Sequence, residues 1–258
     1  MPAQVLQGDT VLVQIPSATS LRDVASITFG GATVKDFIYN AAVSAFIPIP
    51  LAKKPGDYLL KVQLKNGQSL EKTISVTVRE KPKEVLGIPA KFGGTTAATT
   101  KKLVNSLAAE NKSLNSGSTA DHTLWVAAFI LPLPNTGITD LYGYSRQTGA
   151  YTIPHMGTDF RASVGTPVTA MNRGVVRITH KYHTYGNTIV IDHGLGVFTL
   201  YLHLSKISVH VGQIVSQKEI IGYSGDTGIV SGPHLHVSVH INGVSVDPMQ
   251  FLSLFSSR

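Results

Sequence analysis

The sequence predicts a mainly β protein in which a small Ig-like β-sandwich, a linker carrying one helix and a second antiparallel β domain follow one another. Three observations predict it. Apolar residues recur at every second position in short stretches from Val11 to about Val78, within residues 1–80; residues 81–122 abandon that period for charge, Pro, Gly and one helical stripe; and alternation returns over residues 123–258 in short strands joined by glycine-containing turns.

In the first segment Val11, Val13 and Ile15 alternate with polar neighbours, as do Leu60, Val62 and Leu64, then Ile74, Val76 and Val78. Successive strand side chains point to opposite faces, so each triplet marks one buried face. Asn66-Gly67, between the last two triplets, supplies residues that tolerate positive φ at both centres of a tight hairpin turn. No histidine precedes His122, and Asp9, Asp23, Asp36 and Asp57 lie near turn signals. This segment therefore reads as an accessory domain for binding or spacing.

Residues 79–94, REKPKEVLGIPAKFGG, have the mixture of charge, Pro and Gly of a linker. Leu103, Leu107 and Leu114 then fall on one helical face, with Lys101, Lys102 and Lys112 among the polar positions and Gly117 as a stop. The stripe is short and its polar face weakly basic, which fits packing on a domain rather than on a membrane surface. The longest apolar run, residues 124–134, is shorter than the roughly 20 residues that span a bilayer. It is broken by Pro132 and Pro134 and is expected as a buried strand, so no transmembrane segment is expected.

With 43% hydrophobic and 14% charged residues, the chain has a globular composition. Its formal charge of +7 favours an anionic partner. The basic residues are spread thinly rather than clustered, so that partner is not expected to be nucleic acid. No cysteine is present, which excludes disulfides, thiolate metal sites and a cysteine nucleophile. Any metal must use His, Asp or Glu.

Three segments of the last domain carry candidate chemistry. In GPHLHVSVH, residues 232–240, His234, His236 and His240 share one face of a strand while Leu235, Val237 and Val239 supply the buried one. Two imidazoles two residues apart can serve one metal or one reacting atom. His240 is ~13 Å further along and at best lines a groove. In HMGTDF, His155 and Asp159 would be ~13 Å apart in a regular strand, and they can share an ion only if the chain bends, which Gly157 permits. In LYLHLS, Tyr201 and His203 share a face opposite Leu200, Leu202 and Leu204. Taken alone, each segment reads more readily as a loop or surface histidine, a turn aspartate or a rim residue than as a site.

Together the three segments resemble the LytM-type (M23) zinc metallopeptidases, a family known by an H-x(3)-D segment, a later strand with His before Leu-Ser, and a closing H-x-H. The connecting stretches GTPVTAMNRGVV, YGNTIVIDHG, VGQIVSQKEIIGYSGDTG and INGVSVDPMQFL also resemble the family's, so the likeness covers roughly residues 125–255. It implies one Zn2+ held by His155, Asp159 and His236. It further implies catalytic His234 and His203, with His234 as base toward the attacking water, His203 as stabiliser of the tetrahedral intermediate or proton donor, and Tyr201 as a substrate-binding helper. His193, in a Gly-rich turn, reads as structural. The stretch Tyr142-Gly143-Tyr144-Ser145-Arg146 matches the family's Ser-x-Phe-Gly-x-Arg pattern only loosely, which leaves the substrate groove outside the resemblance.

The resemblance implies an endopeptidase that cuts peptide cross-links or stem peptides of bacterial peptidoglycan, with peptidoglycan as partner. The alternative is a non-catalytic LytM-like wall-binding or amidase-activator module, as in relatives that have lost ligands; the five intact positions here argue against it. Such an enzyme acts in the periplasm or outside the cell. The N-terminus lacks the basic region and apolar stretch of a secretory signal, so a signal peptide is expected to have been removed.

Overall fold

The architecture comes from a computed structural model that describes residues 3–80, 82–114, 119–134 and 136–255. The chain divides into two compact units, residues 1–79 with 244–246 and residues 80–243 with 247–258.

The first unit contains β1 (Gln4–Leu6), β2 (Thr10–Ile15), β3 (Val24–Phe29), β4 (Ala32–Thr33), β5 (Asp36–Tyr39), β6 (Ala42–Pro48), β7 (Gly56–Leu64) and β8 (Ser69–Thr77). They form two sheets, β1-β8-β7-β3-β4 and β2-β6-β5. Val11, Val13, Ile15, Leu60, Val62, Leu64, Ile74 and Val76 meet in one core, so both sheets bury the face that alternation marks. Val78 does not join it, because β8 ends at Thr77 and Val78 is 63% exposed. The β7–β8 turn also departs from expectation: it is a loop of residues 65–68 in which Gly67 alone is left-handed, with φ 91°.

The second unit begins with β9 (Lys83–Val85) and α1 (Ala97–Leu114). Four short strands follow, β10 (Ile138–Asp140), β11 (Ser145–Thr148), β12 (Tyr151–Pro154) and β13 (Thr158–Arg161), then β14 (Pro167–Thr169), β15 (Gly174–Tyr182) and β16 (Gly186–Asp192). The unit continues through β17 (Val197–Leu204), β18 (Lys206–Ile207), β19 (Ile214–Val215), β20 (Ile220–Tyr223), β21 (His234–Ile241) and, after Val244–Val246, α2 (Pro248–Ser253). Its main sheet runs β10-β13-β21-β17-β16-β15-β19 with antiparallel neighbours. Smaller sheets are β12-β11-β9 and β14-β20-β18.

Residues 81–122, expected as linker and helix, lie within this unit: β9 pairs in parallel with β11, and α1 docks on the main sheet. Leu114 packs with Val190, Leu200 and Leu202, and Leu103 is buried. Glu110, which the apolar stripe did not single out, is buried too, and its carboxylate accepts the Thr184 and Tyr185 amides at 2.9 and 3.1 Å. Gly117, the expected stop, lies outside the described residues. Residues 124–134 are not a strand. Pro132 and Pro134 lack amide donors, and the backbone bonds of this stretch go instead to loops: the Leu124 amide to His193 O and the Ile130 amide to Met171 O. Its apolar side chains still serve the core, where Phe129 packs on Trp125, Phe251 and Phe255. No described helix is long and apolar enough to cross a membrane.

Candidate metal centre

Strand pairing brings the carboxylate to the histidine strand. In the β13–β21 register Asp159 stands opposite His236, and directly opposed residues share a face. His155 arrives from the short connection between β12 and β13, where its amide donates to Tyr144 O at 2.7 Å and its carbonyl accepts from Gly143 at 2.8 Å. Gly157 serves this bend through its size: a Cβ there would stand 2.4 Å from both His236 Nε2 and the Val237 carbonyl. Its φ is not positive.

Three donor atoms converge. His155 Nε2 is 3.1 Å from Asp159 Oδ1 and 3.0 Å from His236 Nδ1, and the latter two are 2.7 Å apart. All three residues are buried. The outer nitrogen of each imidazole fixes where its proton sits. His155 Nδ1 faces the Leu141 carbonyl at 2.9 Å, and a carbonyl can only accept, so Nδ1 carries the proton. His236 Nε2 faces Ser238 Oγ at 2.9 Å, and that hydroxyl already donates to Met156 O, so Nε2 carries the proton. The inner nitrogens are therefore bare lone pairs, crowded against a carboxylate oxygen with no proton to share. Such an arrangement repels itself unless a cation occupies it. Donors on zinc at ~2.0–2.1 Å in a tetrahedral shell stand about 3.3 Å apart, close to the edges of this triangle.

The ionisation states agree. Burial pushes His236 down to about 4, with Asp159 only partly opposing it.

Two more imidazoles flank the triangle. His234 Nδ1 donates to Gly232 O at 3.0 Å, and its Nε2 stands 3.8 Å from Asp159 Oδ1. His203 Nδ1 donates to Thr227 O at 2.9 Å, and its ring centroid is 4.9 Å from that of His234. His203 reaches this position through a bulge. The β16–β17 register slips by one residue between Ile189↔Tyr201 and Asn187↔Leu204, and His203 has φ 63°. Bulges re-aim side chains in this way. Burial, then the neighbouring His234 and His236, depress His203 to about 3, so it is neutral with a bare Nε2.

The model of peptidase family M23 matches residues 153–248. Residues 153–248 are an M23 peptidase domain. The chain is 50% identical over 97 residues to the peptidoglycan DD-endopeptidase ShyA of Vibrio cholerae, a match covering 38% of this chain and 23% of that one. It is 42% identical over 121 residues to the DD-carboxypeptidase/endopeptidase Mpg of Neisseria meningitidis, covering 46% and 28% respectively. The chain thus spans about a quarter of the length of these curated relatives. A solved structure from Pseudomonas aeruginosa, described as an M23 peptidase, superposes over 97% of this chain and 96% of its own with TM-score 0.68 and 25% identity.

Within the M23 domain, Tyr201 does not share the face of His203. The bulge breaks the alternation between them, and Tyr201 is fully buried opposite Val237, its hydroxyl accepting from the Met171 amide at 2.9 Å and bonded to Thr199. This corrects the expected position beside the substrate. His193 is buried between Arg173 O and Thr199 Oγ1, away from the triangle. His240 lines the same groove as the cluster.

That groove, about 720 Å³, runs from the five residues to Leu103, Leu107 and Leu114 of α1 on one side and to Glu84, Asp140 and Arg146 on another. Arg146 is the residue that sequence reasoning left aside: its Nη2 donates to Asp159 Oδ2 at 2.7 Å. The Ser145-Arg146 pair just before the first motif was the available signal.

Proposed function

We propose that this protein is a zinc-dependent endopeptidase that hydrolyses peptide cross-links or stem peptides of peptidoglycan, acting in the periplasm or outside the cell. The supporting observation is the triangle of His155, Asp159 and His236, in which three donor atoms lie 2.7–3.1 Å apart with both imidazole protons directed outward. These residues would hold the ion. Zinc supplies Lewis-acid polarisation of a carbonyl and a water acidic enough to ionise near neutral pH.

His234 is the better-placed base. Its Nε2 faces Asp159 Oδ1, so an imidazolium formed there is offset by a carboxylate, and its side chain is 19% exposed to arriving water. His203 in its resting state offers Nε2 only as an acceptor, because its proton is held at Thr227 O. It can donate to a tetrahedral intermediate or a leaving amine only after gaining a proton, and its burial, then its neighbours His234 and His236, ensure that it gives that proton up readily. The triangle and His234 line one groove, in which the triangle is buried and His234 is the more exposed. The names of the relatives ShyA and Mpg support peptidoglycan as substrate, and the +7 charge suits an anionic wall polymer.

Purified protein loaded with zinc should release muropeptide fragments from cross-linked sacculi, identified by mass. Release should cease in Asp159→Ala and His234→Ala. Zinc binding without any fragment release by the wild type would overturn the enzyme and favour a non-catalytic wall module.

A further inference from the structure

We propose that Arg146 is a positioning residue that keeps Asp159 a one-oxygen ligand and so preserves an open coordination position at the metal. The proposal rests on the zinc reading above. Asp159 has two oxygens with separate tasks. Oδ1 completes the triangle, while Oδ2 accepts from Arg146 Nη2 at 2.7 Å. The pair is largely shielded, with side-chain exposures of 18% for Arg146 and 3% for Asp159, so the charge-assisted bond is strong and the guanidinium stays charged.

Arg146 is itself held in place. The same Nη2 donates to Asp140 Oδ2 at 2.9 Å, and Nε stands 3.6 Å from Glu84 Oε2. Its strand β11 lies between β12 and β9, with Arg146 paired to Ile153 and to Glu84. The two extra carboxylates answer a difficulty: a cationic side chain so near a divalent cation would otherwise weaken metal binding. Asp159, Asp140 and Glu84 together outnumber the single guanidinium, so the surroundings remain anionic.

The consequence follows from coordination arithmetic. A carboxylate can bind through one oxygen or both, whereas a catalytic zinc keeps three protein ligands and one open position. With Oδ2 committed to Arg146, Asp159 has only Oδ1 to give. Without Arg146, Oδ2 could join the shell and consume the open position. Glu84 and Arg146 both lie outside residues 153–248, so this control is exercised by segments beyond the matched M23 domain.

The test compares wild type, Arg146→Gln and Arg146→Lys, with zinc affinity from chelator competition, kcat on sacculi, and the visible absorption of the Co2+-loaded protein, which weakens when a four-coordinate site becomes five-coordinate. Arg146→Gln should keep zinc affinity within about tenfold while kcat falls ~100-fold and the Co2+ bands lose intensity. Arg146→Lys, which can reach Oδ2 with one donor, should recover part of both. Unchanged Co2+ bands in Arg146→Gln would overturn the proposal, as would a parallel collapse of affinity and rate, the mark of a merely structural role. If Arg146→Gln does not fold, Asp140→Asn loosens the guanidinium instead: partial loss of band intensity supports the proposal, and wild-type bands and rate overturn it. Failure of the wild type to bind either metal would remove the zinc reading itself, and the proposal with it.

Discussion

Replacing Ser238 by Ala isolates the device that aims His236. The Ser238 hydroxyl accepts the Nε2 proton of His236 at 2.9 Å and passes its own to Met156 O at 2.9 Å, and Ser238 is buried. Alanine removes both bonds without adding bulk. The imidazole then has a buried N–H without an acceptor, at a cost of about 1–3 kcal/mol. It can lower that cost by moving the proton to Nδ1, the nitrogen that faces Asp159 at 2.7 Å and would bind zinc. Binding zinc must now restore the unfavoured tautomer, so affinity should fall ~10–100-fold, or about 1.4–2.7 kcal/mol. Competition with a chromophoric chelator measures this directly, and thermal unfolding of the apo protein should show little change if the proton does move. A Ser238→Ala protein whose zinc affinity stays within about twofold of wild type would refute the tautomer argument, and with it the assignment of protons in the triangle.

Asn tolerates left-handed backbone, so His203→Asn should fold with near-native stability while kcat falls ~10²–10⁴-fold, checked by unfolding and turnover on the same preparation. Gly157→Ala places a Cβ 2.4 Å from the Val237 carbonyl and should destabilise by ~1–3 kcal/mol and weaken zinc binding, read by denaturation and competition. Glu110→Ala strips the acceptor from two amides and should cost ~2–4 kcal/mol in urea unfolding, with Glu110→Gln milder because its carbonyl still accepts one of them. Burial holds His193 at about 4 in the folded chain against 6.5 unfolded, so the unfolded state takes up the proton first as pH falls. Its contribution is complete above pH 6.5 and is lost between 6.5 and about 4, at ~1.4 kcal/mol per unit, and His193→Asn should flatten the apo protein's stability profile by that slope.

Much of the fold was legible because a period of two survives wherever one sheet face is buried, as Val11, Val13 and Ile15 or Leu235, Val237 and Val239 show. Residues 124–134 misled because an apolar run does not reveal where its amides bond, and here they bond to loops. At the candidate site, the shared face of His234, His236 and His240 follows from alternation alone. The opposition of Asp159 to His236 does not, since register depends on pairing between strands distant in the chain. His203 and Tyr201 were separated by one extra residue in β17, which nothing in LYLHLS announces. Arg146 escaped because a long side chain acts far from its own backbone. Glu110 escaped because a charged residue on a helix is ordinarily solvated, and its buried task comes from the distant turn at Thr184 and Tyr185.

His155, His203 and His234 each anchor a ring nitrogen on a main-chain oxygen, at Leu141, Thr227 and Gly232. Every amino acid carries that oxygen, so exchanging the side chains at those three anchors leaves the aim of the rings intact as long as the loop backbone holds its path. His236 alone leans on a side chain. A saturation library should therefore find positions 141 and 232 forgiving of chemical identity but sensitive to insertions and deletions, while residue 238 tolerates few replacements and residue 227 is restricted for another reason, its hydroxyl accepting the Asn187 amide and donating to Leu204 O.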